Sequence, residues 1–246
     1  MAISIRRGAD RRPRRLGRWW IAVAAAIVVS TASGALAFSR SSLFHVREIR
    51  VAGMTHLTRA EVVRLVGIST STNVLWLDEG SAERRLERHP WVAAAEVRSV
   101  YPRRVEISVV ERTPVAVVVR GDRKELIAAD GTMLGAADRR ARLPRIEVPA
   151  VSALDGARLD VAGAAAALGA MTSEVRARVG WVRIGLDAAL ELRTRDGVNV
   201  RYGTATSPGR KAATLELVLT WSQREGEPLE AISLVSPRLP TVRLAD

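Results

Sequence analysis

The sequence predicts an α+β protein: a single transmembrane helix, then a unit in strand–helix–helix–strand–strand order, then a mostly antiparallel β unit with flanking helices. Three observations carry that expectation. Residues 19–38 contain no charge. Between residues 43 and 112 the apolar spacing passes from a strand-like to a helix-like pattern and back. After Thr113, short apolar runs alternate with Asp-Gly turns at Asp130-Gly131 and Asp196-Gly197.

The uncharged run WWIAVAAAIVVSTASGALAF, Trp19 to Phe38, is long enough as a helix to cross a hydrocarbon core of roughly 30 Å. Arg6, Arg7, Arg11, Arg12, Arg14, Arg15 and Arg18 precede it, against Asp10 alone, so residues 1–18 carry a net +6 of the chain's +12. Positive flanks stay on the cytoplasmic side, which sets the amino terminus inside and everything after Arg40 outside. A cleaved signal peptide is the competing reading, with Ala35-Leu36-Ala37 as its small-x-small pattern. The length of the apolar run favours retention as an anchor.

The remaining +6 is spread over some two hundred residues without an aromatic-interleaved basic stripe, so no nucleic-acid partner is expected. The chain has no cysteine, which excludes disulfides, thiolate metal sites and cysteine nucleophiles. His45, His56 and His89 lack a second histidine at metal-ligand spacing. No GxSxG, SxxK, P-loop or GxGxxG pattern occurs. The sequence reads as non-enzymatic, with no cofactor and no metal. Asp130 and Asp196 take turn roles ahead of their glycines.

Leu43 to Val51 is expected as the first strand, closed by Gly53. Thr58 with Glu61 forms a capping box, flanked by Leu57 and Val62 as a hydrophobic staple, and Gly67 is placed to end that helix. Ser81 to Arg88 reads as a second helix stopping before Pro90. Val92 to Ser99 and Arg104 to Glu111 read as strands around a Tyr101-Pro102-Arg103 turn. Trp91 is expected to pack on the sheet rather than to form a recognition motif with His89-Pro90. Further on, Val115–Val119, Glu125–Ala129 and Thr132–Leu134 are strand candidates, and Asp138–Leu159 is turn-rich. Val161–Val179 is expected helical, although Gly163 and Gly169 weaken it. Leu190–Thr194 and Val198–Tyr202 form a hairpin, Ser207-Pro208 starts a helix, and Ala231–Val235 is a last strand.

In that order the chain resembles the FtsQ/DivIB family of bacterial division proteins. The resemblance rests on Phe44-His45-Val46, Val51-Ala52-Gly53, His89-Pro90-Trp91-Val92, Tyr101-Pro102 and above all Val109-Val110-Glu111-Arg112-Thr113-Pro114-Val115-Ala116. It continues through Leu143-Pro144, Gly203, Lys211 and Pro240-Thr241-Val242-Arg243. It implies a POTRA domain at 43–112 and a β domain at 113–246, after a basic tail at 1–18 and a span at 19–38.

The resemblance further implies a divisome scaffold of the cytoplasmic (inner) membrane, at the division septum. Its extracytoplasmic domains would bind FtsB/DivIC-like and FtsL-like division proteins and other septal envelope proteins, and help assemble septal peptidoglycan synthesis. The implied partner-binding residues are Ala231, Ile232, Ser233, Leu234, Val235, Ser236, Val242 and Leu244, by strand addition along Glu230–Leu244. Pro237 and Pro240 limit that ladder to Ala231–Ser236. Ser233 departs from the family, whose members usually carry an aspartate there. In the POTRA segment, the first strand (Val46–Val51) and the last (Val105–Glu111) are both candidate exposed edges. The alternative reading is a POTRA-containing component of an envelope secretion or assembly system, against which the scarcity of barrel-length strands after Thr113 weighs.

Overall fold

The structure, a computed structural model, describes residues 16–138, 141–148, 161–185 and 187–245. Most of the basic tail and most of the turn-rich stretch around Pro149 lie outside the described residues.

Helix α1 (Leu16–Ser39) contains a 21-residue apolar segment, Trp19–Ser39, of mean hydropathy 2.1, none of it covered by the rest of the chain. A helix of this length and composition is long and apolar enough to cross a membrane, and it is the one such helix among the described residues.

A three-stranded sheet follows, with β1 (Glu48–Ala52), β2 (Val92–Val100) and β3 (Arg104–Glu111) in the order β1-β3-β2. The parallel β1–β3 pairing needs a crossover, supplied by α2 (Arg59–Val66) and α3 (Glu79–Glu87). Val62, Val66, Ala82 and Leu86 on these helices bury against Val97, Val105, Ile107 and Val109 of the sheet.

The expected helix signals are present as atoms. Thr58 Oγ1 accepts from the Glu61 N–H, the Glu61 carboxylate accepts from the Thr58 N–H, and Gly67 ends α2 in the left-handed conformation (φ 72°). Thr58→Ala is expected to cost about 1 kcal/mol, read from the urea midpoint of the full chain in detergent. Gly53 is required twice over: its φ is +84°, and a Cβ there would sit 2.0 Å from the Val109 carbonyl oxygen.

The first strand is shorter than expected. Leu43 and Phe44 lie in a 3-10 turn, and the Val46 N–H turns to the Thr72 carbonyl (2.9 Å), so residues 45–46 pair with the loop before α3 instead of the sheet.

The second sheet has nine strands in the order β12-β11-β10-β9-β8-β7-β4-β5-β6. These are β4 (Pro114–Arg120), β5 (Arg123–Ala128), β6 (Met133–Ala136), β7 (Arg145–Glu147), β8 (Val179–Ile184), β9 (Leu190–Thr194), β10 (Asn199–Gly203), β11 (Leu229–Ser233) and β12 (Thr241–Leu244). Most pairings are antiparallel; β4–β7, β7–β8 and β10–β11 are parallel. One face is covered by α4 (Val161–Gly169), α5 (Ser173–Arg178) and α6 (Pro208–Glu225), whose Ala164, Leu168, Val175 and Leu215 join Val182, Leu192, Val200 and Ile232 in one core.

The helix expected over Val161–Val179 is interrupted. Thr172 caps a new start, accepting from the Val175 N–H, and from Val179 the chain is already strand β8. Gly169 belongs to a close approach: a Cβ there would lie 2.3 Å from the Ala129 Cβ. Strand β7 is too short to show a period in sequence. It is recognisable only by its burial between β4 and β8, with Ile146 fully covered.

Candidate functional site

The residues implied as a partner-binding edge separate into two groups. Ala231, Ile232 and Ser233 lie in β11, which is paired on both sides, to β10 and to β12. Ile232 and Leu234 are buried, at 1% and 0% exposure, and the Leu234 N–H donates to the Arg201 carbonyl at 2.8 Å. Val235 and Ser236 follow the strand in the loop toward Leu239. The expectation that Ala231–Ser236 forms the open ladder is therefore corrected: this segment is interior, because residues 241–244 fold back as β12 and occupy its free side.

Val242 and Leu244 do lie on the outermost strand. Val242 pairs with Ile232 and Leu244 with Leu229. The Ala245 N–H donates inward to the Pro228 carbonyl (2.9 Å). Backbone direction alternates along a strand, so the amide groups of Thr241 and Arg243 also face β11, and those of Val242 and Leu244 face away from the sheet. Both side chains are partly exposed, at 37% and 42%. The sequence signal for β12 was weak because Pro237, Pro240 and a single apolar alternation are all that mark it.

Beside this edge, the face of the sheet opposite the helices forms a shallow groove of about 460 Å³ lined by Trp181, Glu191, Asn199, Arg201, Ser233 and Arg243, among others. One cross-strand row runs Arg145, Trp181, Arg193, Asn199, Ala231, Arg243; the next runs Glu147, Arg183, Glu191, Arg201, Ser233, Thr241. Arg183 bridges Glu147 (3.4 Å) and stacks over Trp181 at 4.7 Å. Of the charged residues that line the groove, Arg201 and Arg243 outnumber Glu191, so it is positive on balance. Ser233 stands beside Arg201 and brings no charge of its own.

Behind the edge, Lys211 holds the end of β10. Its Nζ donates to the carbonyls of Tyr202 (2.7 Å) and Thr204 (2.8 Å) and lies 4.9 Å from the Tyr202 ring centre. The side chain is buried, and that burial lowers its pKa. The ammonium ties the end of β10 and the residues just after it to α6.

The smaller sheet has unequal edges. Strand β3 is central, so the candidacy of the last POTRA strand as an exposed edge is corrected, since β1 takes one side of it and β2 the other. The outer edge of β2 is closed by α3: Glu83 accepts from the Val97 N–H (2.9 Å) and Glu79 from the Ser99 N–H (2.6 Å). Strand β1 has β3 on one side only, and at its other edge Arg59 donates to the Ile49 carbonyl (2.5 Å).

The run Glu111-Arg112-Thr113-Pro114 joins the sheets. The Glu111 carboxylate accepts from the N–H groups of His56 (2.8 Å) and Leu57 (2.9 Å), and His56 stacks on Trp91 at 4.2 Å. Trp91 is thus packed on His56, half-buried, instead of on the sheet itself. Arg112 donates to Asp130 (2.7 Å) and to the carbonyls of Pro90 and Val92. Asp196 takes an ion pair with Arg178 (2.9 Å).

Burial works to raise the Glu111 pKa, but the N–H groups of Leu57, His56 and Thr55 outweigh it and hold it below its ordinary 4.5. A carboxyl lowered on folding contributes stability that is complete above the unfolded value and lost as pH falls through the folded one. Urea midpoints should therefore decline below about pH 4.5, and Glu111→Gln should flatten part of that decline. An unchanged slope would show that other carboxylates govern it.

The fold defines a POTRA protein preceded by a helix long and apolar enough to cross a membrane. Residues 44–112 match the "POTRA domain, FtsQ-type" family profile. The cell division protein FtsQ of Anaeromyxobacter sp. is 29% identical over 96% of this chain and 86% of its own length. FtsQ of Mycolicibacterium smegmatis is 28% identical over 88% of this chain, which spans 62% of that relative. FtsQ of Myxococcus fulvus is 34% identical over 33% of this chain and 29% of its own. The extracytoplasmic domain of DivIB from Geobacillus stearothermophilus aligns over 46% of this chain and 92% of that one at 15% identity and a TM-score of 0.32, too slight a likeness to argue from. The chain thus carries a POTRA domain of the FtsQ type and is similar over most of its length to FtsQ cell-division proteins.

Proposed function

We propose that this chain is a non-enzymatic divisome scaffold of the cytoplasmic membrane, with its amino terminus inside and the regions 43–112 and 113–246 acting as two extracytoplasmic domains. It binds FtsB/DivIC-like and FtsL-like single-pass division proteins and brings them to the septum, where peptidoglycan synthesis is assembled. The observation that carries this reading is the outer strand β12, whose Val242 and Leu244 amide groups point away from the sheet beside a basic groove. A partner strand adds there by main-chain hydrogen bonds, and acidic side chains on it complement Arg201 and Arg243. Separate apolar cores on either side of Arg112 support the two-domain division.

A fluorescent protein fused to the cytoplasmic amino terminus should give a midcell band in constricting cells of the source organism. Uniform envelope fluorescence from a fusion that complements a deletion would reject the septal role.

A further inference from the structure

We propose that the rim of the POTRA domain next to the membrane helix docks onto the outer leaflet of the same bilayer, with Leu75, Trp76 and Tyr101 entering the headgroup region. The proposal rests on α1 being a retained span.

The exit of α1 is tied directly to this rim. The Ser39 carbonyl, at the end of the helix, accepts from Asn73 Nδ2 at 2.7 Å, and the rings of Phe38 and Phe44 meet edge-on at 5.5 Å. Arg103, in the turn between β2 and β3, donates to the Leu43 carbonyl at 2.6 Å, while the Arg47 N–H donates to the Arg103 carbonyl at 2.8 Å. The loop at 73–76 and the turn at 101–103 therefore sit at the level where the chain leaves the hydrocarbon.

Those segments expose large side chains that the fold does not use. Leu43 is 49% exposed, Leu75 37%, Trp76 60% and Tyr101 62%. Trp76 is three residues beyond Asn73, a reach of at most about 10 Å, and the interfacial layer is roughly 5–8 Å deep on each side of a bilayer. The rim cannot then stand far from the headgroups. Tryptophan and tyrosine favour that layer because their rings are apolar and their N–H and O–H groups stay hydrated. Arg40 and Arg47 are exposed at the same level and would face lipid phosphates, as would Arg103. Lipid is favoured over a protein occupant because the bilayer is already within reach and its chemistry matches the mixture of aromatic and cationic groups.

The chain has no cysteine, so single nitroxide labels can be placed without other changes. Full-length Ile27→Cys, Leu75→Cys and Leu217→Cys proteins, labelled and reconstituted in phosphatidylethanolamine–phosphatidylglycerol vesicles, would be compared by power saturation with oxygen and a nickel chelate. Leu217 lies on α6 and is 70% exposed, which makes it the aqueous reference. The oxygen-to-nickel ratio at residue 75 should be several-fold above that at 217, and adding Trp76→Ser and Tyr101→Ser should return it to the aqueous value. A residue 75 ratio equal to that at 217 overturns the docking. So does a ratio that survives loss of both aromatic side chains, since the tether alone then sets the depth. An aqueous ratio at residue 27 would instead reject the span on which the proposal rests.

Discussion

Val242→Pro is expected to weaken capture of a partner strand by about tenfold or more, while the thermal midpoint of the chain moves by no more than a few degrees. The amide of Val242 faces outward from β12, so replacing it with proline removes a donor that the folded chain does not use. An added strand would lose a main-chain bond at the centre of a short ladder and meet the pyrrolidine ring, together about 1.4 kcal/mol or more. Thr241 before it is already extended, as a residue preceding proline must be.

The comparison that gives the result meaning is Arg243→Pro. Its amide faces β11, so proline there should loosen β12 itself and lower the midpoint as well as the affinity. Ile232→Pro would be uninformative, because Ile232 is a core residue of a strand paired on both sides, and its loss reports unfolding. Anisotropy titration of a labelled FtsB-like peptide against the full chain in detergent would separate the cases. Wild-type affinity in Val242→Pro would remove β12 as the docking edge.

The difference between β11 and β12 is also where sequence reasoning met its limit. Ala231–Val235 has the apolar content of a strand, and a strand near the end of a chain is naturally read as an edge. Whether it is one depends on what the last residues do after Pro240, and four residues with two apolar side chains carry no period. Strand β7 was missed for the same reason, and the break after Gly169 because alanine-rich sequence reads as helix whatever its neighbours require. Local chemistry was legible where one residue type satisfies one backbone need: Thr58 and Glu61 at a helix start, Gly67 at its end, Asp130 and Asp196 in turns. The signature around Glu111 could be recognised but not explained, since its contacts at residues 55–57, 90–92 and 130 are distant in sequence.

Those contacts lead to the second large effect. Arg112→Ala is expected to destabilise the full chain by about 2–3 kcal/mol, more than any single exposed ion pair would account for. The Arg112 side chain is 19% exposed and divides its fork between two partners on opposite sides of the junction: the backbone at Pro90 and Val92 in the smaller sheet's approach, and Asp130 in the β5–β6 turn. Removing it takes a donor from the part-buried Val92 carbonyl and from the exposed Pro90 carbonyl, and releases the only one of these contacts that reaches across to the second sheet. Asp130 is itself half exposed and also accepts from the Thr132 N–H at 2.9 Å, so Asp130→Ala should cost less, about 1 kcal/mol. Lysine cannot reproduce the planar fork, and Arg112→Lys should recover little of the loss. The order alanine, lysine, then Asp130→Ala in decreasing cost, read from urea midpoints, would establish that the arginine acts mainly through the backbone carbonyls. Equal costs for Arg112→Ala and Asp130→Ala would mean that the ion pair alone holds the junction and that the carbonyls find water when the guanidinium is gone.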